Sequence, residues 1–223
     1  MAGEKINYEY ITEYLHQILP ETTGYLRAME EYANKNDVPI IHKEMKAFLE
    51  VLCKVKKPDR ILEIGSAIGY SASCMALACG NCCQITTIER DSDMTTLAIN
   101  NFEKLGLSDQ IRIIEGDAVE VLSCLTSKYD MIFIDAAKGY YNEFFEYAIN
   151  LINDGGLIIS DNVLYKGMTA EDSIVKRRQK TIVGRMREYL IMLCNHKKLT
   201  TSVIPIGDGV AVSIYNERGN DIE

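Results

Sequence analysis

The sequence contains no apolar run long enough to cross a bilayer. Stretches such as Met131–Ile134 and Leu157–Ile159 are far shorter than the roughly 20 residues that a transmembrane helix needs. The first residues also lack a cationic segment that leads into an apolar run, which a secretion signal would have. We therefore expect a cytoplasmic protein with no membrane partner.

Basic residues are fewer than acidic ones. The chain has 24 Lys and Arg against 32 Asp and Glu, for a net charge of −8. This balance argues against a protein that binds nucleic acid over its whole surface, because contacts with phosphates need cationic side chains. A local basic patch remains compatible with it.

The cysteines lack the partners that a zinc site or a disulfide framework would need. The Cys79-x-x-Cys82-Cys83 cluster has no second cysteine pair and no histidine nearby to complete a tetrahedral site. The total is odd, which favours free thiols. The seven are Cys53, Cys74, Cys79, Cys82, Cys83, Cys124 and Cys194.

No internal repeat, low-complexity tract or interdomain linker interrupts the 223 residues. Hydrophobic residues make up 47% and charged residues 25%, as in ordinary folded proteins. We therefore predict one domain over 1–223, with a helical lead-in at 1–57 and a catalytic core at 58–216. In the lead-in, helical spacing of apolar residues is broken at Pro20 and around 36–39, which predicts three helices.

Short apolar runs alternate with helical patterns after the lead-in. One of these helices is predicted to have its N-cap among Asp91, Ser92 and Asp93 and to end at Gly106. Five such strands predict a doubly wound α/β fold, because parallel neighbours need crossover connections that are usually helical. Two further strands flank Gly207-Asp-Gly209 and predict a C-terminal antiparallel hairpin on a mostly parallel, seven-stranded sheet. The predicted strands are Arg60–Gly65, Gln84–Glu89, Ile111–Glu115, Tyr129–Asp135, Gly156–Ser160, Thr200–Ile206 and Val210–Tyr215.

Acidic and glycine residues follow the first three strands. Gly65 and Gly69 let the backbone approach a ligand, or they form only a packing turn. Glu89 ends the second strand 20 residues after Gly69, where an acid can accept the hydroxyls of a ribose. Asp117 follows the third strand and either binds an adenine amine or caps the helix that begins at Ala118.

Oxygen-bearing side chains follow the fourth and fifth strands. Asp135 stands in Phe-Ile-Asp-Ala-Ala-Lys138, and Asp161 and Asn162 stand directly after the fifth strand. Adjacent parallel strands bring these ends together, and two carboxylates with one amide oxygen suit Mg²⁺ or a similar divalent cation. Taken singly, each aspartate is equally explained as a helix cap.

The joint motifs resemble those of the cation-dependent class I O-methyltransferases, which include catechol and caffeoyl-CoA enzymes. The resemblance runs from about Val38 to Tyr215. It rests on Leu-Glu-Ile-Gly-Ser-Ala-Ile-Gly-Tyr-Ser, Ile-Glu-Arg-Asp, Gly-Asp-Ala, Phe-Ile-Asp-Ala-Ala-Lys-Gly and Asp-Asn-Val-Leu.

This resemblance implies S-adenosylmethionine (SAM) as methyl donor and a role for each matching residue. Gly65, Tyr70 and Ser71 would lie along the methionine end of SAM, and Glu89 would hold its ribose. Asp117 and Ala118 would border the adenine, and Ile40 would cover the cofactor.

The metal ligands would be Asp135, Asp161 and Asn162, with Asp135 also beside the cofactor. Lys138 would sit beside the reacting oxygen, as general base or as an ammonium that stabilises the oxyanion. Relatives of this kind are often dimers, so we expect a homodimer.

Within the family, the chain is most similar to the bacterial enzymes that methylate 5-hydroxyuridine at the wobble position of transfer RNA. That base presents two adjacent oxygens, as a catechol does, and an anticodon loop offers it unpaired. A basic strip with the single acid Glu188 is a candidate phosphate-binding surface, or only a solvated helix face. Its members are Lys176, Arg177, Arg178, Lys180, Arg185, Arg187, Lys197 and Lys198.

Three alternatives stay open at this point. The acceptor is either the transfer RNA or a small catechol-like phenol, since both present vicinal oxygens. A non-catalytic module that binds RNA or SAM is the third reading. Tyr140, Tyr141 and Tyr165 either stack on a substrate base or are core and rim aromatics.

Overall fold

The computed structural model describes residues 6–219, so the first five residues, on which the expectation about a leader partly rests, lie outside it. Three helices precede the first strand: α1 (Glu9–Ile18), α2 (Gly24–Lys35) and α3 (Lys43–Lys56). They are interrupted where Pro20 and the 36–39 segment predicted breaks. No helix in the described part of the chain combines the length and apolarity that a membrane span requires.

The described residues divide into two compact units, one formed by 13–124 and the other by 6–12 with 125–219. The interpretation of the whole chain as one domain stays a prediction. Among the described residues, the first unit contains three strands and the second contains four. The predicted fold class, a mostly parallel α/β sheet with a C-terminal antiparallel hairpin, is confirmed.

The first unit, 13–124, contains three parallel strands and the helices that connect them. Strand β1 pairs with β2, and β2 pairs with β3, so that Ile64 lies beside Ile88 and Glu89 beside Glu115. The strand ends that precede the candidate donor residues are therefore aligned. The elements are β1 (Arg60–Ile64), α4 (Tyr70–Cys79), β2 (Gln84–Glu89), α5 (Ser92–Leu105), β3 (Ile111–Glu115) and α6 (Ala118–Cys124).

The second unit contains the mixed part of the sheet. Strand β5 pairs in parallel with β4 and antiparallel with β7, and β7 pairs antiparallel with β6. Short 3₁₀ turns occupy Lys138–Tyr140, Asp172–Ile174 and Arg177–Gln179. The longer elements are β4 (Tyr129–Ile134), α7 (Tyr141–Leu151), β5 (Ile152–Ser160), α8 (Lys180–Asn195), β6 (Leu199–Ile204) and β7 (Val210–Tyr215).

Strand β5 begins at Ile152, four residues before the predicted start at Gly156. Ile152 pairs with Tyr129, the register then shifts, and regular pairing resumes between Leu157 and Met131. The Asn-Asp-Gly-Gly segment in between is typical of a turn, which is why sequence reasoning placed the strand after it. Pairing with β4 overrides that local preference.

Two predicted helix caps are confirmed on α5. The Asp91 carboxylate accepts the backbone N–H groups of Asp93 and Met94 at 2.9 and 3.1 Å. Gly106 ends the helix in the left-handed conformation, with φ of 69°. All seven cysteines are free thiols, as predicted.

Glycines begin and end α4, and only one of them faces a steric constraint. Gly69 has φ of 79°, and a Cβ there would lie 2.5 Å from the ring of Phe102. Gly80 has φ of 70°, but a Cβ there would meet nothing within 4 Å. Gly69 is therefore explained by packing against α5, the alternative that sequence analysis left open.

We expect Gly69→Ala to lower the free energy of unfolding by about 1–3 kcal/mol more than Gly106→Ala does, because Gly106, which ends α5, has a similar backbone conformation and a Cβ there would meet nothing within 4 Å. Both substitutions place alanine at a left-handed position, and only the first adds the clash with Phe102. Urea denaturation of the two variants measures the difference. Equal losses would show that packing does not require Gly69.

Candidate active site

The turn after β1 is tied to the end of β2 by backbone contacts. The Gly65 N–H donates to the carbonyl of Ile88 at 3.0 Å, and the Ala67 N–H donates to the Glu89 carboxylate at 2.8 Å. Gly65 has φ of 98° and Ala67 has φ of 44°. The turn thus holds left-handed backbone next to an acid at the strand end, which is the arrangement predicted for a ribose-bearing cofactor.

Glu89 accepts two more backbone N–H groups, those of Arg90 and Asp91, each at 2.9 Å. Three amide donors fix the orientation of this half-buried carboxylate. Because each carboxylate oxygen has two lone pairs, three of the four positions are used, and Glu89 keeps one for a ligand hydroxyl. Its ribose-binding role stays a prediction.

Glu63 is a buried acid to which sequence analysis gave no role. Its side chain is 0% exposed, and its two oxygens accept the hydroxyls of Ser71 at 2.6 Å and Thr87 at 2.5 Å. Its position just before the glycine turn, inside an apolar strand, was the signal that could have found it. A buried carboxylate there anchors the first turn of α4 to β1 and β2.

Tyr70 and Ser71 use their hydroxyls within the protein. Tyr70 is buried and donates to Glu30, and burial is the main cause that raises its pKa. Ser71 donates to Glu63. Contacts with the methionine end of SAM would therefore rest on the first amides of α4, which have no partner within a helix and attract carboxylates.

Asp117 caps α6, which confirms one of the two roles that the sequence left open for it. Its carboxylate accepts the Val119 N–H at 2.9 Å, and Ala118 is the first residue of the helix. The adenine contact of both residues stays a prediction. Ile40 lies half-buried between α2 and α3, and its contact with the cofactor also stays a prediction.

The second unit brings the predicted acceptor residues together at the ends of β4 and β5. Ile134 pairs with Ser160, and the next residues along the two strands are Asp135 and Asp161. Asp161 is 3% exposed, and its carboxylate accepts the N–H of Asn162 at 2.6 Å. The Lys138 ammonium donates to the amide oxygen of Asn162 at 3.0 Å.

The electrostatics of Asp161 favour an added cation. Burial first, and then the nearby Asp135 carboxylate, raise the pKa of Asp161 to about 7, while the Asn162 N–H and Lys138 oppose the shift. Residues 6–219 contain no cluster of three His, Cys, Asp or Glu suited to a metal. The predicted set instead combines two carboxylates with one amide, and its hard oxygen donors fit a divalent cation such as Mg²⁺. Mg²⁺ itself stays a prediction.

Tyr141 lies beneath these residues and is a core aromatic, one of the two interpretations that the sequence left open. It is 1% exposed, so the interpretation that it stacks on a substrate base is wrong. Its hydroxyl donates to the carbonyls of Asp161 at 2.9 Å and Ile134 at 3.4 Å. Tyr141 thus joins the ends of β4 and β5. Tyr140, by contrast, is 48% exposed and keeps the predicted stacking role available.

The basic strip is divided by the structure. Arg185 donates to the carbonyl of Gly139 at 2.7 Å, next to Lys138, and Arg187 donates to Met168 and Thr169 and pairs with Asp172 at 2.7 Å. These two arginines hold loops around the acceptor residues. The cluster at the start of α8 is exposed and comprises Lys176, Arg177, Arg178 and Lys180.

We expect Asp161→Asn to remove a pH dependence from the metal-free stability. The folded pKa of Asp161, about 7, lies above its ordinary value of 3.8, so the folded state binds more protons between these values. Its contribution is therefore present at low pH and lost as pH rises through about 7. In EDTA, the natural chain should lose about 2 kcal/mol between pH 5.5 and 8 relative to Asp161→Asn.

Chemical denaturation at both pH values measures this difference, and Asp154→Asn, at an exposed carboxylate in the same strand, is the control. Parallel pH profiles for the natural chain and Asp161→Asn would show that this carboxylate is not held at a raised pKa.

Comparison with known proteins assigns the chain to a family. A family model described as O-methyltransferase matches residues 13–215. A catechol O-methyltransferase from Niastella koreensis is 31% identical over 175 residues, which are 75% of this chain and 78% of that protein. Among solved structures, a Staphylococcus aureus protein assigned to the caffeoyl-CoA O-methyltransferases has 35% identity and a TM-score of 0.87, over 93% of this chain and 100% of its own.

A third relative, the O-methyltransferase TomG from Streptomyces achromogenes, was solved in complex with SAM. It shares 24% identity and a TM-score of 0.82 over 97% of this chain and 99% of its own, which shows the same fold. The family model covers most of the sequence, and the identity to the Niastella enzyme extends over three quarters of it. The chain belongs to the O-methyltransferase family.

Proposed function

We propose that the chain transfers a methyl group from SAM to the 5-hydroxyl of 5-hydroxyuridine at the wobble position of transfer RNA, giving 5-methoxyuridine. Membership of the O-methyltransferase family supports the reaction class.

The donor residues lie in the first unit. The glycine turn after β1 presents backbone to a ligand, and Glu89 is oriented beside it by three amide donors. A carboxylate at the end of the second strand suits a ribose hydroxyl of SAM. The TomG relative binds SAM, which agrees with this reading.

The acceptor residues lie in the second unit. Asp135, Asp161 and Asn162 would hold Mg²⁺, which supplies Lewis acidity that lowers the pKa of a bound hydroxyl. The Lys138 Nζ, 3.0 Å from the Asn162 amide oxygen, is placed beside the ligands. It either takes the proton of the acceptor hydroxyl or remains an ammonium that stabilises the oxyanion. The burial of Asp161 restricts water at this position.

The exposed basic cluster at the start of α8 supports RNA, rather than a small phenol, as the acceptor. Its four members follow each other within five positions of an acidic chain. Arg185, five residues beyond Lys180 and so about 7.5 Å along the helix, contacts the turn that holds Lys138. Phosphates bound at the cluster would thus lie on the same unit as the acceptor residues. Exposed Tyr140 offers a ring on which an unpaired base can stack.

A small catechol-like phenol is the second candidate acceptor. The Niastella relative is named a catechol O-methyltransferase, and the same three oxygen ligands would serve either vicinal-oxygen acceptor. A phenol would not need the basic cluster.

The homodimer stays a prediction, and light scattering on the purified protein measures the oligomeric state directly.

The product identifies the acceptor. The protein is incubated with Mg²⁺, methyl-deuterated SAM and transfer RNA that carries 5-hydroxyuridine, and the nucleosides are analysed by mass spectrometry. We expect deuterated 5-methoxyuridine, no product from unmodified transfer RNA, and loss of product in Asp135→Ala or excess EDTA.

Two other results would contradict the proposal. Methylation of a catechol without methylation of the RNA would establish the second candidate. Binding of SAM without turnover of either acceptor in Mg²⁺ would establish a non-catalytic module.

Charge reversal at the basic cluster separates the two acceptors. We expect Lys176→Glu with Arg177→Glu to weaken transfer RNA binding by at least about tenfold at low salt, because two phosphate contacts become repulsive. Methylation of a free catechol should be unchanged. The matched control is Lys54→Glu with Lys57→Glu, an equal change of charge at exposed residues near the end of α3.

Filter binding across a salt series measures both double variants. If the two pairs weaken RNA binding equally, only net charge matters, and the cluster is not the RNA surface.

A further inference from the structure

The segment that follows β5 has an unusual backbone. Asn162, Tyr165 and Lys166 have φ of 55°, 45° and 57°, and Gly167 follows with φ of 78°. Residues with side chains rarely adopt this left-handed region, so surrounding contacts must hold them there. We call residues 162–167 the post-β5 loop. Its first residue is the predicted amide ligand of the cation.

The hairpin between β6 and β7 provides these contacts. The Val163 N–H donates to the Gly209 carbonyl at 2.9 Å, and the Leu164 N–H donates to the Asp208 carbonyl at 2.9 Å. The Lys166 N–H donates to the Asp208 carboxylate. We call Gly207–Gly209 the hairpin turn. It therefore accepts three backbone hydrogen bonds from the post-β5 loop, the first of them one residue after Asn162.

Gly209 also fits the loop sterically. It has φ of 84°, and a Cβ there would lie 2.3 Å from Cγ of Leu164 and 2.7 Å from its Cβ. Any side chain at 209 would push Leu164 away. The close approach makes the carbonyl contacts with Val163 and Leu164 possible, so the glycine serves packing between the loop and the turn and not only the hairpin.

We infer that the hairpin turn is a positioning device: Asp208 and Gly209 hold the post-β5 loop in its left-handed conformation and thereby place the amide oxygen of Asn162 beside Lys138. This inference rests on the proposed function, in which Asn162 binds the divalent cation. Asp208 is a positioning residue, because it acts through the backbone of Lys166 and Leu164. Its hold on the loop rests on its acceptor oxygen, and its negative charge acts separately on the nearby Asp161 carboxylate.

Three substitutions test the inference. Asp208→Ala removes the acceptor for the Lys166 N–H, whereas Asp208→Asn keeps an oxygen in its place and removes the charge. Asp154→Ala is the matched control, because the Asp154 carboxylate accepts the Glu217 N–H at 2.8 Å in the same unit, away from the loop. Thermal unfolding of each variant confirms that it is folded.

The first readout needs no metal. Trypsin cleaves after Lys166, an exposed residue whose N–H the turn holds. We expect faster cleavage between Lys166 and Gly167 in Asp208→Ala, and wild-type rates in Asp208→Asn and Asp154→Ala. Mass spectrometry identifies the cut, and cleavage after exposed Lys176 in the same digest is the internal reference.

The second readout is Mn²⁺ binding followed by electron paramagnetic resonance. We expect Asp208→Ala to bind about 10–100-fold more weakly than the natural chain, as for other residues that orient a metal ligand. Asp208→Asn, which loses only the charge, should be clearly less impaired, and Asp154→Ala should bind as the natural chain does. Absence of Mn²⁺ binding by the natural chain would contradict the proposed function alone. Equal cleavage of Asp208→Ala and Asp154→Ala, or an Asp208→Asn variant as impaired as Asp208→Ala, would overturn the positioning role.

Discussion

Repulsion between two carboxylates at the ends of β4 and β5 is the constraint on which the acceptor end depends. Asp161 is almost completely buried, and Asp135 adds a like charge that raises its pKa further. Burying an unpaired carboxylate costs several kcal/mol, so such a pair persists only where other groups compensate. Lys138 and the Asn162 N–H do so in part, and a divalent cation would do so fully.

The surrounding elements hold this pair in place. Tyr141 joins the two strand ends through their carbonyls, and its ring packs edge-on against Tyr189 at 5.3 Å. The Tyr189 hydroxyl in turn bonds to Ser160 at 2.6 Å, one residue before Asp161. Arg185 holds the turn beside Lys138 from the other side. Two helices and a turn thus restrict the same few backbone atoms, which is how a charged cluster stays ordered.

Local sequence signals predicted the parts of the molecule that local physics controls. The helix caps at Asp91 and Gly106, the alternating strands and the Gly207–Gly209 turn follow from residue type and spacing. The start of β5 did not, because pairing with β4 overrode a turn-like Asn-Asp-Gly-Gly segment. Long-range pairing leaves no local signature there.

The candidate residues divide in the same way. Asp135, Asp161 and Asn162 were identified because they follow predicted strands, and the structure brings the latter two into contact with each other. Glu63 was missed, since its partners Ser71 and Thr87 are distant in sequence. Tyr141 and Arg185 were each left with two interpretations for a related reason, because the sequence gives neither the burial of a side chain nor its hydrogen-bond partners.

The most direct measurement of the central claim is anomalous diffraction from crystals grown with Mn²⁺. The account predicts one strong peak, bound by carboxylate oxygens of Asp135 and Asp161 and by the amide oxygen of Asn162. A well-ordered structure with no peak at these three residues, or with Mn²⁺ only elsewhere on the chain, would contradict it.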